Sequence, residues 1–231
     1  DAGLPHFERM GYAAAEGDRW EEKPELLLFC GGMLNAAIDD TVTAFEEREG
    51  LSVTRVYNGC GLLVSQMNAG ATPDAYFSCD QTFLDLVSDR FHPGTTVSSN
   101  RVVILVRKGN PSAIEGLADL CVPGLKVGLG HPEKSALGAL SKRLFADALL
   151  TDRLEASGNI ILDSATGDFL VNQMRTGSLD AVIVYRSNAA AALEDVDIVE
   201  LRDPSAQATQ PFAIAHSTEH PRTLARLLDA L

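Results

Sequence analysis

Apolar runs of strand length at 25–29, 52–57, 74–78, 101–107, 125–129, 159–162, 180–185, 197–201 and 211–215 alternate with stretches of helical periodicity at 34–49, 61–69, 80–88, 136–149, 167–176, 187–194 and 219–231. No other feature of the sequence restricts the fold as strongly. Parallel strands need a crossover connection, usually a helix, so strand and helix repeated this often predict an α/β architecture with largely parallel sheets. The punctuation agrees. Asn35 or a neighbour is placed to cap the helix running through Phe45, and Gly50 stands where a left-handed residue ends it. Asp80 and Gln81 read as caps of the helix that follows them, Pro132 and Glu133 precede the helix containing Leu140 and Leu144, and Pro221 opens the last helix. No internal repeat and no Pro/Gly/Ser-rich linker divides the chain. A division into two lobes therefore requires the backbone to pass between them more than once, and 101–107 and 186–197 are the expected passages. Residues 1–24, polar and acidic without periodicity, read as an N-terminal extension.

With 231 residues, 45% of them hydrophobic, the chain can bury a substantial core. Its longest apolar stretches, such as Leu26 to Phe29 and Val102 to Val106, fall far short of the ~20 residues that cross a bilayer. The formal charge of −13 comes with Lys and Arg scattered singly or in pairs, which argues against nucleic acid as a partner. The same charge repels an anionic ligand at long range, so an anion would have to be held by short-range, aimed dipoles inside a cleft. Cys30, Cys60, Cys79 and Cys121 match neither a CxxC redox motif nor a paired zinc signature; one or two disulfides are open in an oxidising compartment, and spacing alone assigns none. The opening Asp1-Ala2-Gly3-Leu4-Pro5 lacks a basic start and an apolar h-region, so any export signal is expected to have been removed already.

Three glycine-bearing turns follow apolar runs and lead into helices: Phe29-Cys30-Gly31-Gly32-Met33, Tyr57-Asn58-Gly59-Cys60-Gly61 and Gly128-Leu129-Gly130-His131-Pro132-Glu133. In an α/β sheet such turns lie at the carboxyl ends of strands, where ligands bind. Glycine admits close backbone approach, and the helix that follows presents unpaired N–H groups to negative charge. Any one turn of this kind serves packing in most α/β proteins; three in a small chain favour an anion cleft. Gly128-x-Gly130-x-x-Glu133 matches a dinucleotide fingerprint only without its third glycine. GxSxG, HExxH and Walker motifs do not occur, and the chain is expected not to be an enzyme. It also lacks the helix-turn-helix region that an effector domain of a regulator would need.

Residues 26–81, LLLFCGGMLNAAIDDTVTAFEEREGLSVTRVYNGCGLLVSQMNAGATPDAYFSCDQ, resemble the first lobe of the periplasmic molybdate-binding proteins. VVILVRKGNP at 102–111, GLGHPEKSALGAL at 128–140 and LDAVIVYRSNA at 179–189 resemble later segments of that family in the same order, so the resemblance covers about 26–231. It implies the type II periplasmic binding-protein fold, two α/β lobes around a ligand cleft, with 25–102 and 197–231 in the first lobe and 103–196 in the second. It further implies a molybdate or tungstate oxyanion held by backbone N–H groups and neutral side-chain donors, and no cofactor. The expected partner is an ABC transporter permease, met by a monomer in the periplasm or outside the cell, with an anchor at a removed N-terminus possible. Position by position, the first-lobe contacts fall on Met33 and Cys60, with the backbone of Gly32 and Gly61, and the second-lobe contacts on Leu137, Gly167 and Tyr185. The family usually has serine hydroxyls where Met33 and Cys60 stand; methionine has no donor and a thiol is a weak one, which leaves sulfate or phosphate open as the ligand. His131 stands where the family usually has Asp, as a turn residue or a contact at the cleft mouth. A different reading takes Cys30, Cys60 and Cys79 with His131 as a soft-metal site for copper or zinc.

Overall fold

Strand β1 (Glu25–Gly31) alternates its side chains between the two faces of the sheet. Leu26, Leu28 and Cys30 point into one apolar cluster with Val42, Phe45, Phe212 and Leu224, whereas Phe29 enters the other with Leu63, Val64 and Met67. Helix α1 (Asn35–Glu49) and helix α7 (Pro221–Ala230) cover the first face; helix α2 (Cys60–Asn68) covers the second. These contacts come from a computed structural model that describes residues 23–231. The expectation for 1–24 lies, apart from Lys23 and Pro24, outside the described residues.

The remaining elements are β2 (Ser52–Asn58), β3 (Ala75–Phe77), α3 (Gln81–Asp85), β4 (Thr95–Arg107), β5 (Val127–Gly130), α4 (Ala136–Asp147), α5 (Thr151–Ser157), β6 (Ile160–Ser164), α6 (Gly167–Arg175), β7 (Ala181–Tyr185), β8 (Val196–Glu200) and β9 (Gln207–Ile214). The strand order is β2-β1-β3-β9-β4-β7-β5-β6, with β8 also on β4. Parallel pairs join β1 to β2 and β3, and β5 to β6 and β7; every pair made by β4 or β9 is antiparallel. The sheet is therefore mixed rather than largely parallel, because β4 and β9, brought side by side from distant parts of the chain, run antiparallel to each other and to their other neighbours.

Strand β4 organises the molecule. Its polar first part, Thr95 to Arg101, pairs with β9, while Val102 to Arg107 pairs with β7 and β8. Val102 to Val106 and all five residues of β7 are buried, as expected of strands covered on both faces. The chain thus passes between halves once inside β4. The second passage is not at 186–197: β8 lies on the second part of β4, so the return falls at 201–206, between β8 and β9. The apolar run of β8 concealed this, since it is equally compatible with either sheet. Gly50 ends α1 at φ 69° and Asp80 caps α3 by accepting from the Thr82 N–H at 2.9 Å, both as expected. Asn35 does not cap α1; it is the helix's first residue and follows a 3-10 turn at Gly32–Leu34. No helix among the described residues is long and apolar enough to cross a membrane.

Candidate functional site

The carboxyl ends of β1, β2, β6 and β7 and the stretch after β3 converge on one small cavity. Gly32, Met33, Asn58, Gly59, Cys60 and Cys79 line it from one half, and Ser135, Leu137, Ala165, Thr166, Gly167 and Tyr185 from the other. It encloses about 10 Å³, the room of a single water molecule. No lining residue carries a formal charge, in a chain whose net charge is −13.

Three helices start at this cavity. Their N-caps are Gly59 for α2, Ser135 for α4 and Thr166 for α6, and none forms a side-chain capping bond. The first N–H groups of a helix have no partner within it. The amides of Cys60, Leu137 and Gly167, at or near the first positions of α2, α4 and α6, thus bring the positive ends of three helix dipoles together from both halves. Glycines permit this approach. A Cβ on Gly59 would overlap the Lys134 and Ala165 carbonyl oxygens, and one on Gly61 would overlap that of Glu133.

Of the seven residues singled out from the sequence, Gly32, Met33, Cys60, Leu137, Gly167 and Tyr185 line the cavity. Gly61 does not: its N–H donates to the Lys134 carbonyl across the cleft at 3.1 Å, which commits that donor to holding the halves together. Tyr185 ends β7 with its hydroxyl buried and without a hydrogen-bond partner in the described structure. Burial above all, with Cys79 and Cys60 nearby, raises its pKa, so the hydroxyl keeps its proton and can donate. His131 lies in the turn after β5, where its Nδ1 accepts from the Glu133 N–H at 3.2 Å, and it does not line the cavity. The sequence reading missed Asn58, Ser135 and Thr166. The last two carried a signal, a hydroxyl residue just before a predicted helix, but a hydroxyl there normally caps.

The cysteines divide. Cys30 is buried on the α1 face, and burial pushes its thiol far above the ordinary range. Cys60 and Cys79 meet at the cavity: the Cys79 N–H donates to Cys60 Sγ at 3.2 Å, and both are free thiols. Burial pushes the Cys60 thiol up, but hydrogen bonds from Cys79, Tyr76 and Ser78 to its sulfur outweigh that and lower it below the ordinary value. The soft-metal arrangement of Cys30, Cys60, Cys79 and His131 is not assembled: among the described residues no three or more His, Cys, Asp or Glu side chains are placed to hold a metal.

An α/β molecule of two halves joined through β4 and 201–206, with its cavity between strand ends, defines a solute-binding protein of the type II periplasmic fold. The Azotobacter vinelandii periplasmic molybdate-binding protein shares that fold, with a TM-score of 0.74 at 15% identity over 88% of this chain and 91% of that one. So does the sulfate-binding protein SubI of Mycobacterium tuberculosis H37Rv, with a TM-score of 0.70 at 18% identity over 90% and 81%. The sequence profile of the bacterial extracellular solute-binding proteins matches residues 26–231, and the chain belongs to that family. Among curated relatives, the molybdate-binding protein ModA of Mycobacterium tuberculosis is 29% identical over 199 residues, covering 82% of this chain and 71% of the relative.

Proposed function

We propose that this chain is the binding component of an ABC transporter and captures a tetrahedral oxyanion, molybdate or tungstate, between its halves outside the cytoplasm. The observation that carries the reading is the meeting of three uncapped helix N-termini with the unpartnered Tyr185 hydroxyl in a cavity without formal charge. Such donors hold a divalent anion by oriented N–H and O–H groups, with no cation to attract other ligands. The hydroxyls of Ser135 and Thr166 supply neutral donors in the half opposite Met33 and Cys60, which offer none of comparable strength. The Mycobacterium tuberculosis relative and the Azotobacter vinelandii structure are named for molybdate, and SubI for sulfate.

The cavity is smaller than a tetrahedral oxyanion, so entry is coupled to parting of the halves, and the ligand selects a closed state whose spacing it sets. Anion size then separates the heavy oxyanions from sulfate, since charge and shape do not. The closed monomer presents both halves to the permease. Thermal unfolding with molybdate, tungstate, sulfate and phosphate tests the reading. At a hundredfold excess over Kd, the true ligand raises Tm by about 5–10 °C. A rise with sulfate or phosphate alone replaces the heavy oxyanions, and no rise with any of the four removes the anion reading.

A further inference from the structure

Two thiols stand in the wall of an anion cavity where the neutral-donor mechanism has no use for them. A Cβ added to Gly31 would overlap Cys79 Sγ and come within 3.2 Å of Cys60 Sγ, so both sulfurs crowd the same point above the β1 backbone. The Cys79 N–H already reaches Cys60 Sγ at 3.2 Å, and Cys60 is the first residue of α2, where a helix N-terminus favours a thiolate. Cys30 and Cys121 do not line the cavity. We propose that Cys60 and Cys79 form a reversible disulfide, and that its formation raises the anion affinity of the cavity.

The chemistry is thiol–disulfide exchange with a disulfide oxidant, either a small molecule or a partner protein. The Cys60 thiolate attacks one sulfur of the oxidant and expels the other as a thiol; the Cys79 sulfur then attacks Cys60 Sγ in the mixed disulfide. Two S–H bonds are lost and one S–S bond forms. Two protons leave the pair, and its two electrons reduce the oxidant to two thiols. Exchange requires the open molecule, because both sulfurs are buried when the halves meet. The hydrogen bonds that lower the Cys60 pKa favour it as the attacking sulfur.

The effect on affinity follows from donor count. In the reduced protein, Cys60 Sγ takes up the Cys79 N–H at the cavity wall. A disulfide sulfur is a poorer acceptor than this thiol, so oxidation frees that N–H for the anion. The affinity part of the inference rests on the oxyanion reading; the disulfide itself does not.

The test uses the full chain and its Cys121→Ser variant, each treated with oxidised glutathione and with dithiothreitol. Oxidation is expected to lower the mass by two hydrogens and leave Cys30 alone open to alkylation in the denatured variant. Cleavage at Met67 separates Cys60 from Cys79, so the two fragments stay joined until reduced. Bound molybdate is expected to slow the reaction, and calorimetry to show molybdate affinity on the order of tenfold higher in the oxidised form. Persistence of all thiols, or a bridge involving Cys30, overturns the inference. A Cys60–Cys79 bridge with equal molybdate affinity in both forms overturns its affinity part. A bridge in a protein that binds no oxyanion in either form overturns the reading of the cavity and leaves the disulfide standing.

Discussion

Leaving a buried hydroxyl without a partner costs on the order of 1–3 kcal/mol, and Tyr185 bears that cost at the cavity wall. Replacing it separates binding from folding. Tyr185→Phe keeps the ring in place and removes only the orphaned oxygen, so Tm without ligand is expected to hold or rise. Molybdate affinity is expected to fall about ten- to a hundredfold, the scale of one hydrogen bond to a charged group, as read by calorimetry. A variant that loses stability and keeps its affinity would show Tyr185 to be a core residue alone. Tyr185 was reached through the resemblance to the molybdate-binding family, with which its place at the end of a continuous apolar run agrees, and the backbone donors were legible because glycines sit at the turns. Ser135 and Thr166 were not, because only the folded chain shows that their hydroxyls leave the helix amides uncapped.

Among elements, α1 and α7 lie on the same face of the sheet, and Arg226 donates to Glu49 from Nη2 at 2.6 Å and Nε at 3.1 Å. The hydrogen bond from Arg226 holds the Glu49 carboxyl below its ordinary pKa. A carboxylate whose folded pKa is depressed contributes stability above its unfolded pKa, and loses it as pH falls through the folded value. Glu49→Gln is therefore expected to be slightly less stable than the parent in urea at pH 7 and low salt. The difference should vanish in strong acid and shrink in high salt, since the pair is exposed. An unchanged gap across pH would mean that the substitution acts through packing. Element type was well marked wherever apolar periodicity was strong. It failed at α5, a seven-residue helix too short to show a period, and at the start of β4. There Thr95 to Asn100 are polar except for Val97 and are held as strand only by β9, more than a hundred positions away. Pairing direction was hidden for the same reason.

At the scale of the whole molecule, the proposed closure brings backbone against backbone. The Gly61 N–H bonds to the Lys134 carbonyl, and a Cβ there would overlap the Glu133 oxygen, which no rotamer change relieves. Within α2, alanine is the better helix former, so Gly61→Ala should leave the unliganded fold at least as stable as the parent. It is expected to keep the halves apart, with weaker molybdate binding and no ligand-induced fall in the radius of gyration by small-angle scattering. Contraction equal to the parent's would show that the contact follows closure without controlling it. Strand β4 has a further consequence. Arg101 and Gln207 are direct cross-strand partners, so everything between them leaves and re-enters the other half at neighbouring points of one ladder. That half is, topologically, an insert carried by a hairpin. A single recombination spanning 102–206 would exchange the whole far wall of the cavity between relatives and leave the near wall's sequence untouched.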